Sequence, residues 1–273
     1  MNDANYSAWI GKRETRRERL NEAMIDGLNA VLDRDSGTPL GLHWLLCADR
    51  RRASELGPDG HPRRGDFLPP VTLPRRMWAA GSIRLLAQAP ADKIVIRDSV
   101  IADISHKQGR SGQLVFVKVD HRYHAEGMAW IDERHTIVYR GAEGTQLMPP
   151  TIDATEFDWR MDIATDEVTL FRYSALTFNS HRIHYDQRYV REVEGYPNLI
   201  VHGPLMATWL MNFARDQLTD ESLVEFDFKV GAPVFVGETI TLLGRRNDEQ
   251  LTLAVASENK RQIISASGRT ATT

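Results

Sequence analysis

Apolar positions recur at intervals of three and four along residues 14–34, ETRRERLNEAMIDGLNAVLDR. Leu20, Met24, Leu28, Val31 and Leu32 then share one face, which predicts a helix. Ser36-Gly37-Thr38-Pro39 stops it. The apolar run GLHWLLC, 41–47, has the length of a short strand. Residues 48–74 are rich in Gly, Pro and Arg and read as a long irregular loop, a kind of segment that often carries function in a compact domain. Alternation and β-branched content then predict strands at RMWAAGSIRLLA, KIVIRDSVIADISHKQ, LVFVKVDHRYH, MAWIDERH and TIVYR, with a turn at Gly109 and Ser111-Gly112.

Residues 141–166 are polar and turn-rich and contain Pro149-Pro150, so the boundary between two halves, 1–150 and 151–273, is placed there. A strand near 168–173, a loop across 176–202 and a helix over 204–218 follow. Leu205, Trp209, Phe213 and Leu218 share a face of that helix, and Pro204 suits its first turn, where a missing N–H costs nothing. Strands are expected near 223–230, 238–245, 250–256 and 261–270. Each half thus offers one helix and several strands, an α+β pattern.

Composition narrows the classes of function. A chain of 273 residues with 42% apolar content can bury a core, which argues against disorder. Its 34 basic and 37 acidic residues leave a net charge of −3, so no global basic excess points to nucleic acid. One cysteine, Cys47, excludes an intrachain disulfide and any multi-thiolate metal site. No apolar run has membrane-spanning length and the N-terminus shows no apolar signal core, so a soluble cytoplasmic protein is expected. Arginines crowd residues 12–76, as a solvated surface or as a binding edge for a phosphorylated small molecule.

The chemistry concentrates in 171–206, FRYSALTFNSHRIHYDQRYVREVEGYPNLIVHGPLM. Asn179, His181, Arg182, His184, Tyr185 and Asp186 lie within eight residues, and His202-Gly203-Pro204 opens the predicted helix. A histidine near its free pKa of ~6.5 exchanges a proton at neutral pH. An amide holds a water by its carbonyl oxygen or orients an oxygen by its NH₂. Gly203 stands where free N–H groups and the positive end of a helix dipole stabilise a developing oxyanion, such as that of a thioester. Together these suggest water addition to an α,β-unsaturated thioester, or the reverse.

Asn179-Ser180-His181-Arg182-Ile183-His184 resembles the hydratase motif of MaoC-like (R)-specific enoyl-CoA hydratases, whose usual form is Asp, any residue, Asn, Pro, any residue, His. His202-Gly203 resembles the glycine before that family's central helix. GTPLGLHWLL, LGPDGHPRRGDFLPPVTLPRRMWAAGSIRL and SHKQGRSGQLVFVKVDHRY resemble a narrower branch, which holds the hydroxyacyl-thioester dehydratases type 2, mesaconyl-C4-CoA hydratases and itaconyl-CoA hydratases. The resemblance implies a double hot-dog, each half a sheet wrapped around one helix, with the motif in the C-terminal half only. It implies an acyl-CoA substrate between the halves, a homodimer, and no metal or redox cofactor. Asn179 stands where the broad family has Asp; it cannot accept a proton, so His184 must transfer it.

Asn179, His184 and Gly203 are the catalytic candidates. His181, Arg182, Tyr185 and His202 are candidates for substrate contact, with Arg182 open to pairing with Asp186 and His202 to capping the helix. In the N-terminal half, Pro74-Arg75-Arg76-Met77-Trp78 is the best candidate ligand run, since Arg75 or Arg76 would suit a substrate carboxylate. His43, His61, His106, His121, His124 and His135 are scattered, and His121 and His124 fall on opposite faces of a strand, so no metal is expected there. The leading expectation is a hydro-lyase of a short, branched, carboxylated enoyl-CoA. A fatty-acid 3-hydroxyacyl-thioester dehydratase, a hot-dog thioesterase and a non-catalytic acyl-CoA-binding protein are the alternatives.

Overall fold

The computed structural model describes residues 6–109, 112–141 and 148–272. Part of the turn expected at Gly109 and Ser111-Gly112 therefore lies outside the described residues. In chain order the elements are β1 (Arg13–Arg19), α1 (Glu22–Val31), β2 (Arg75–Leu85), β3 (Ile94–Gly109), β4 (Gly112–Ala125) and β5 (Met128–Arg140). Then follow β6 (Trp159–Ala164), α2 (Glu167–Leu176), α3 (Gln187–Glu192), α4 (Gly203–Arg215), β7 (Glu221–Val230), β8 (Thr239–Asn247), β9 (Gln250–Ser257) and β10 (Gln262–Thr272). Among the described residues no helix is long and apolar enough to cross a membrane.

All ten strands form one antiparallel sheet in the order β1-β3-β4-β5-β2-β7-β10-β9-β8-β6. Read from its outer edge inward, each set of five lies in the order first strand, third, fourth, fifth, second. The sets meet where β2 pairs with β7, from Ala80 opposite Lys229 to Arg84 opposite Glu225. This repeated order makes the α+β double hot-dog. Helix α4 fills its C-terminal half, with every residue from Leu205 to Ala214 buried. The N-terminal half departs from the expectation of one wrapped helix. Its corresponding stretch is a single 3₁₀ turn at Leu42–Leu45 followed by the irregular loop, while the half-exposed α1 packs on α2.

Three expected elements are corrected. The helix expected over 14–34 begins only at Glu22, where Asn21 Oδ1 accepts the Met24 N–H at 3.1 Å. RETRRER before it is a charged edge strand on β3; its Glu and Arg residues favour helix locally, and ladder pairing overrides that preference. GLHWLLC is not a strand. Leu42, His43, Leu45 and Leu46 are buried, and a wholly buried run has no period to distinguish turn from strand. The strand expected at 168–173 is α2, started by Asp166, whose Oδ1 accepts the Thr169 N–H at 2.9 Å. Its β-branched residues obscured that cap. β6 went unforeseen although WRMDIA alternates apolar and charged residues, because the six-residue, mostly exposed edge strand lies within the 141–166 stretch read as turn-rich.

Candidate active site

Helix α2 ends at Leu176 with Thr177 as its C-cap, and Phe178 adopts φ +52°. That left-handed residue, unusual without glycine, swings the chain off the helix axis into the segment that carries the motif. Asn179 opens the segment. Its N–H donates to Ser174 O at 2.8 Å and its Oδ1 accepts the His181 N–H at 3.0 Å. Since the carbonyl oxygen is engaged, the amide's NH₂ is the end left to a ligand. A 3₁₀ turn at Arg182–His184 then buries His184.

His184 Nδ1 lies 2.7 Å from Ile200 O. A carbonyl only accepts, so Nδ1 carries the hydrogen and Nε2 carries the lone pair. Burial pushes the His184 pKa down to about 4, against the opposing pull of the Ile200 carbonyl, so the ring is a neutral base at pH 7. His202 supports it from behind: the rings stack at 3.6 Å, and His202 Nε2 lies 2.8 Å from Ser174 Oγ. Gly203 begins α4, so its N–H is one of the helix's donors without an intrahelical acceptor. A Cβ placed on Gly203 would meet only Val230 Cγ2, at 3.6 Å, so packing does not demand glycine there.

A cavity of about 740 Å³ joins Asn179, His181, His184 and Gly203 to Arg75, Arg76 and Trp78. That volume suits a small-molecule site. Three sequence-predicted contacts are not on its wall. Arg182 forks onto Asp186 Oδ2 at 2.7 and 3.0 Å and donates to Pro58 O at 3.0 Å. Tyr185 is about half exposed and its hydroxyl donates to Ser180 O at 3.1 Å. His202 is fully buried behind His184 and does not cap α4 through its side chain. The two arginines of the N-terminal run also separate. Arg75 is engaged by Glu194, through its carbonyl at 2.8 Å and its carboxylate at 3.7 Å, and lies over Tyr196. Arg76 has no carboxylate partner among the described residues, and its charge is felt at His181 and His61. Trp78 is anchored by its Nε1–H on Ala80 O at 2.7 Å and packs against His135.

The site also takes in residues that were not among the candidates. The loop segment 57–62 docks on the motif: Arg182 N–H donates to Asp59 O at 2.9 Å and Ser180 Oγ to Gly60 O at 2.5 Å. This brings the His61 ring to 4.1 Å from that of His181. The available signal was GPDGHP, a turn sequence holding a histidine in a long loop. His121 and His124 do not converge: one is paired with Ser99 and the other with Asp98.

Several buried histidines therefore stay neutral. Burial lowers the pKa of His121 and His202 well below 6.5, and His184 follows to about 4. Between pH 6.5 and 4 the unfolded chain binds protons that these folded sites refuse, so stability is full above 6.5 and falls as pH drops toward 4. For His184 alone the loss is about 3 kcal/mol. Thermal melts should show Tm falling steadily from pH 6.5 to 4.5; a level Tm across that range contradicts neutral burial.

Comparison with known proteins bears on the fold and the family. The family hydroxyacyl-thioester dehydratase type 2 matches residues 41–236. A mesaconyl-C(4)-CoA hydratase of Chloroflexus aurantiacus is 38% identical over 279 residues, covering 97% of this chain and 98% of its own. A MaoC-like dehydratase from Phytophthora capsici superposes with a TM-score of 0.69 at 12% identity, over 96% of each chain. A Mycobacterium tuberculosis protein described as a double hot-dog does so with a TM-score of 0.57 at 12% identity, also over 96% of each. The shared fold, the match across most of the chain and an end-to-end relative lead to one assignment: the chain belongs to the hydroxyacyl-thioester dehydratase type 2 family, hydro-lyases of the MaoC-like double hot-dog class.

Proposed function

We propose that the protein reversibly hydrates a short, branched, carboxylated enoyl-CoA, such as mesaconyl-C4-CoA or itaconyl-CoA, to a citramalyl-CoA. The observation that carries the reading is the fixed tautomer of His184, whose Nδ1 is committed to Ile200 O while the ring shares a cavity with the start of α4. The thioester oxygen takes the Gly203 N–H and the helix N-terminus. Water, oriented by the Asn179 NH₂, gives a proton to His184 Nε2 as its oxygen bonds to the β-carbon. In mesaconyl-C4-CoA the π electrons move to the thioester as an enolate; in itaconyl-CoA, whose double bond is β,γ to the thioester, a proton first moves from the α-carbon to the γ-carbon, which brings the double bond into conjugation. The imidazolium then returns that proton to the α-carbon, so one water is added in total and His184 ends as it began.

The substrate class rests on two further supports. The 38% identical relative acts on mesaconyl-C4-CoA. In such a substrate the free carboxylate sits on the carbon that water attacks, so a cation is needed near His184. Arg76 fits that need, because it lines the cavity, lacks a carboxylate partner among the described residues and acts on His181.

Absorbance of the conjugated thioester for mesaconyl-C4-CoA, crotonyl-CoA and longer enoyl-CoAs, with chromatographic product analysis for itaconyl-CoA, tests the reading. The carboxylated substrates should lead. Arg76→Met should cut their advantage over crotonyl-CoA on the order of 10²-fold, the usual loss when one partner of a buried charge pair is removed. Preference for long chains would favour the fatty-acid dehydratase. Release of free thiol would mark a thioesterase, and binding without loss of absorbance a non-catalytic acyl-CoA binder.

A further inference from the structure

A second group of side chains at the cavity is unused by water addition. Asp59, His61 and His181 each offer one ligand atom, and the three atoms lie within 4.8 Å of one another. His61 Nδ1 is buried without a hydrogen-bond partner. Its nearest acidic neighbour, Asp59 Oδ2, is 3.7 Å away, too far for a hydrogen bond. The His61 and His181 rings meet at 4.1 Å and 60° with no hydrogen bond between them.

The backbone around these groups is already held. Asp59 Oδ1 accepts the His61 N–H at 3.1 Å, and Asp59 O accepts the Arg182 N–H at 2.9 Å. Two ligands thus come from the N-terminal loop and the third from the segment that bears His184. A donor set of two imidazoles and one carboxylate suits borderline ions such as Zn²⁺ over Mg²⁺ or Ca²⁺. Ligands at about 2.0–2.2 Å from zinc stand roughly 3.3 Å apart in a tetrahedron, so side-chain closure of up to about 1.5 Å completes the site. Arg76 and Arg64 act on His61 and oppose a cation. They set the expected affinity in the micromolar range, weaker than a structural zinc site.

We propose that Asp59, His61 and His181 form a reversible site for a late first-row divalent cation such as Zn²⁺, and that its occupancy stops turnover. The His181 ring lies 5.5 Å from that of His184, so an ion held there, with a coordination position open, competes for the water and lone pair that His184 needs.

Isothermal titration of tag-free protein with Zn²⁺, and the visible bands of Co²⁺, test the site directly. One ion should bind with a Kd on the order of 1–100 μM and show tetrahedral Co²⁺ absorption. Asp59→Asn keeps the oxygen that holds the His61 N–H, and His61→Phe keeps a ring against His181; each should weaken binding at least about 10-fold. Enoyl-thioester hydration should fall with the same midpoint and recover on adding EDTA. No binding up to about 1 mM, or equal affinity in wild type and both variants, overturns the proposal. Because ion binding is read without substrate, this result stands apart from the identity of the acyl group.

Discussion

Replacing His184 by alanine lowers turnover by a factor on the order of 10²–10⁴, the usual contribution of a positioned general base. The expectation follows from the tautomer. Nδ1 is committed to Ile200 O at 2.7 Å, which leaves Nε2 as the basic nitrogen. Burial holds the pKa at about 4, so the ring is unprotonated at neutral pH. Asn179 cannot take over, because an amide accepts no proton and its Oδ1 already holds the His181 N–H. His202 cannot either: it is fully buried behind the ring. His184→Gln is the companion variant, since it keeps a donor for Ile200 O and a similar length without a usable base. Both variants should fold, at a cost of about 1–3 kcal/mol for the disturbed buried contact. Loss of thioester absorbance, measured beside far-UV circular dichroism, checks this. Wild-type-like turnover in either variant removes His184 from proton transfer.

Much of this site was legible because its chemistry is local. Asn179 and His184 lie within one polar segment, and Gly203 is marked by the proline after it and the apolar face beyond. The same segment misled at Tyr185, since nothing in its neighbours tells which way a 3₁₀ turn aims each side chain. Arg75 and Arg76 are adjacent and chemically identical, yet one is spent on Glu194, 119 residues away, and the other is not. Pairing over that distance leaves no local trace. In the fold, strands with a clear two-residue period and the amphipathic α4 were readable. β1 was not, because RETRRER contains no apolar residue to reveal a period. His61 was missed for a related reason: its importance comes from docking on Ser180 and Arg182, over 100 residues further along the chain.

That docking yields the second large effect, at Gly60. Its φ is +85°, and a Cβ there would fall 1.9 Å from Ser180 O. The obstacle is backbone, so no side-chain rotation relieves it; either the loop or the 179–184 segment must move. Gly60→Ala therefore bears the left-handed cost and also loses the Ser180–Gly60 and Arg182–Asp59 hydrogen bonds, about 2–4 kcal/mol together. Displacement of Ser180 carries Asn179 and His181 with it. A shift of about 1 Å in a positioned group costs on the order of 10²-fold in rate. Gly37→Ala is the control, since Gly37 has a similar φ of +89° but nothing within 4 Å of a Cβ. It bears the backbone cost without the collision. The expected outcome is a turnover loss on the order of 10² in Gly60→Ala against nearly full activity in Gly37→Ala. Equal losses in the two variants would mean that backbone strain alone is at work. In that case, contact between the N-terminal loop and Ser180 does not hold the 179–184 segment in place.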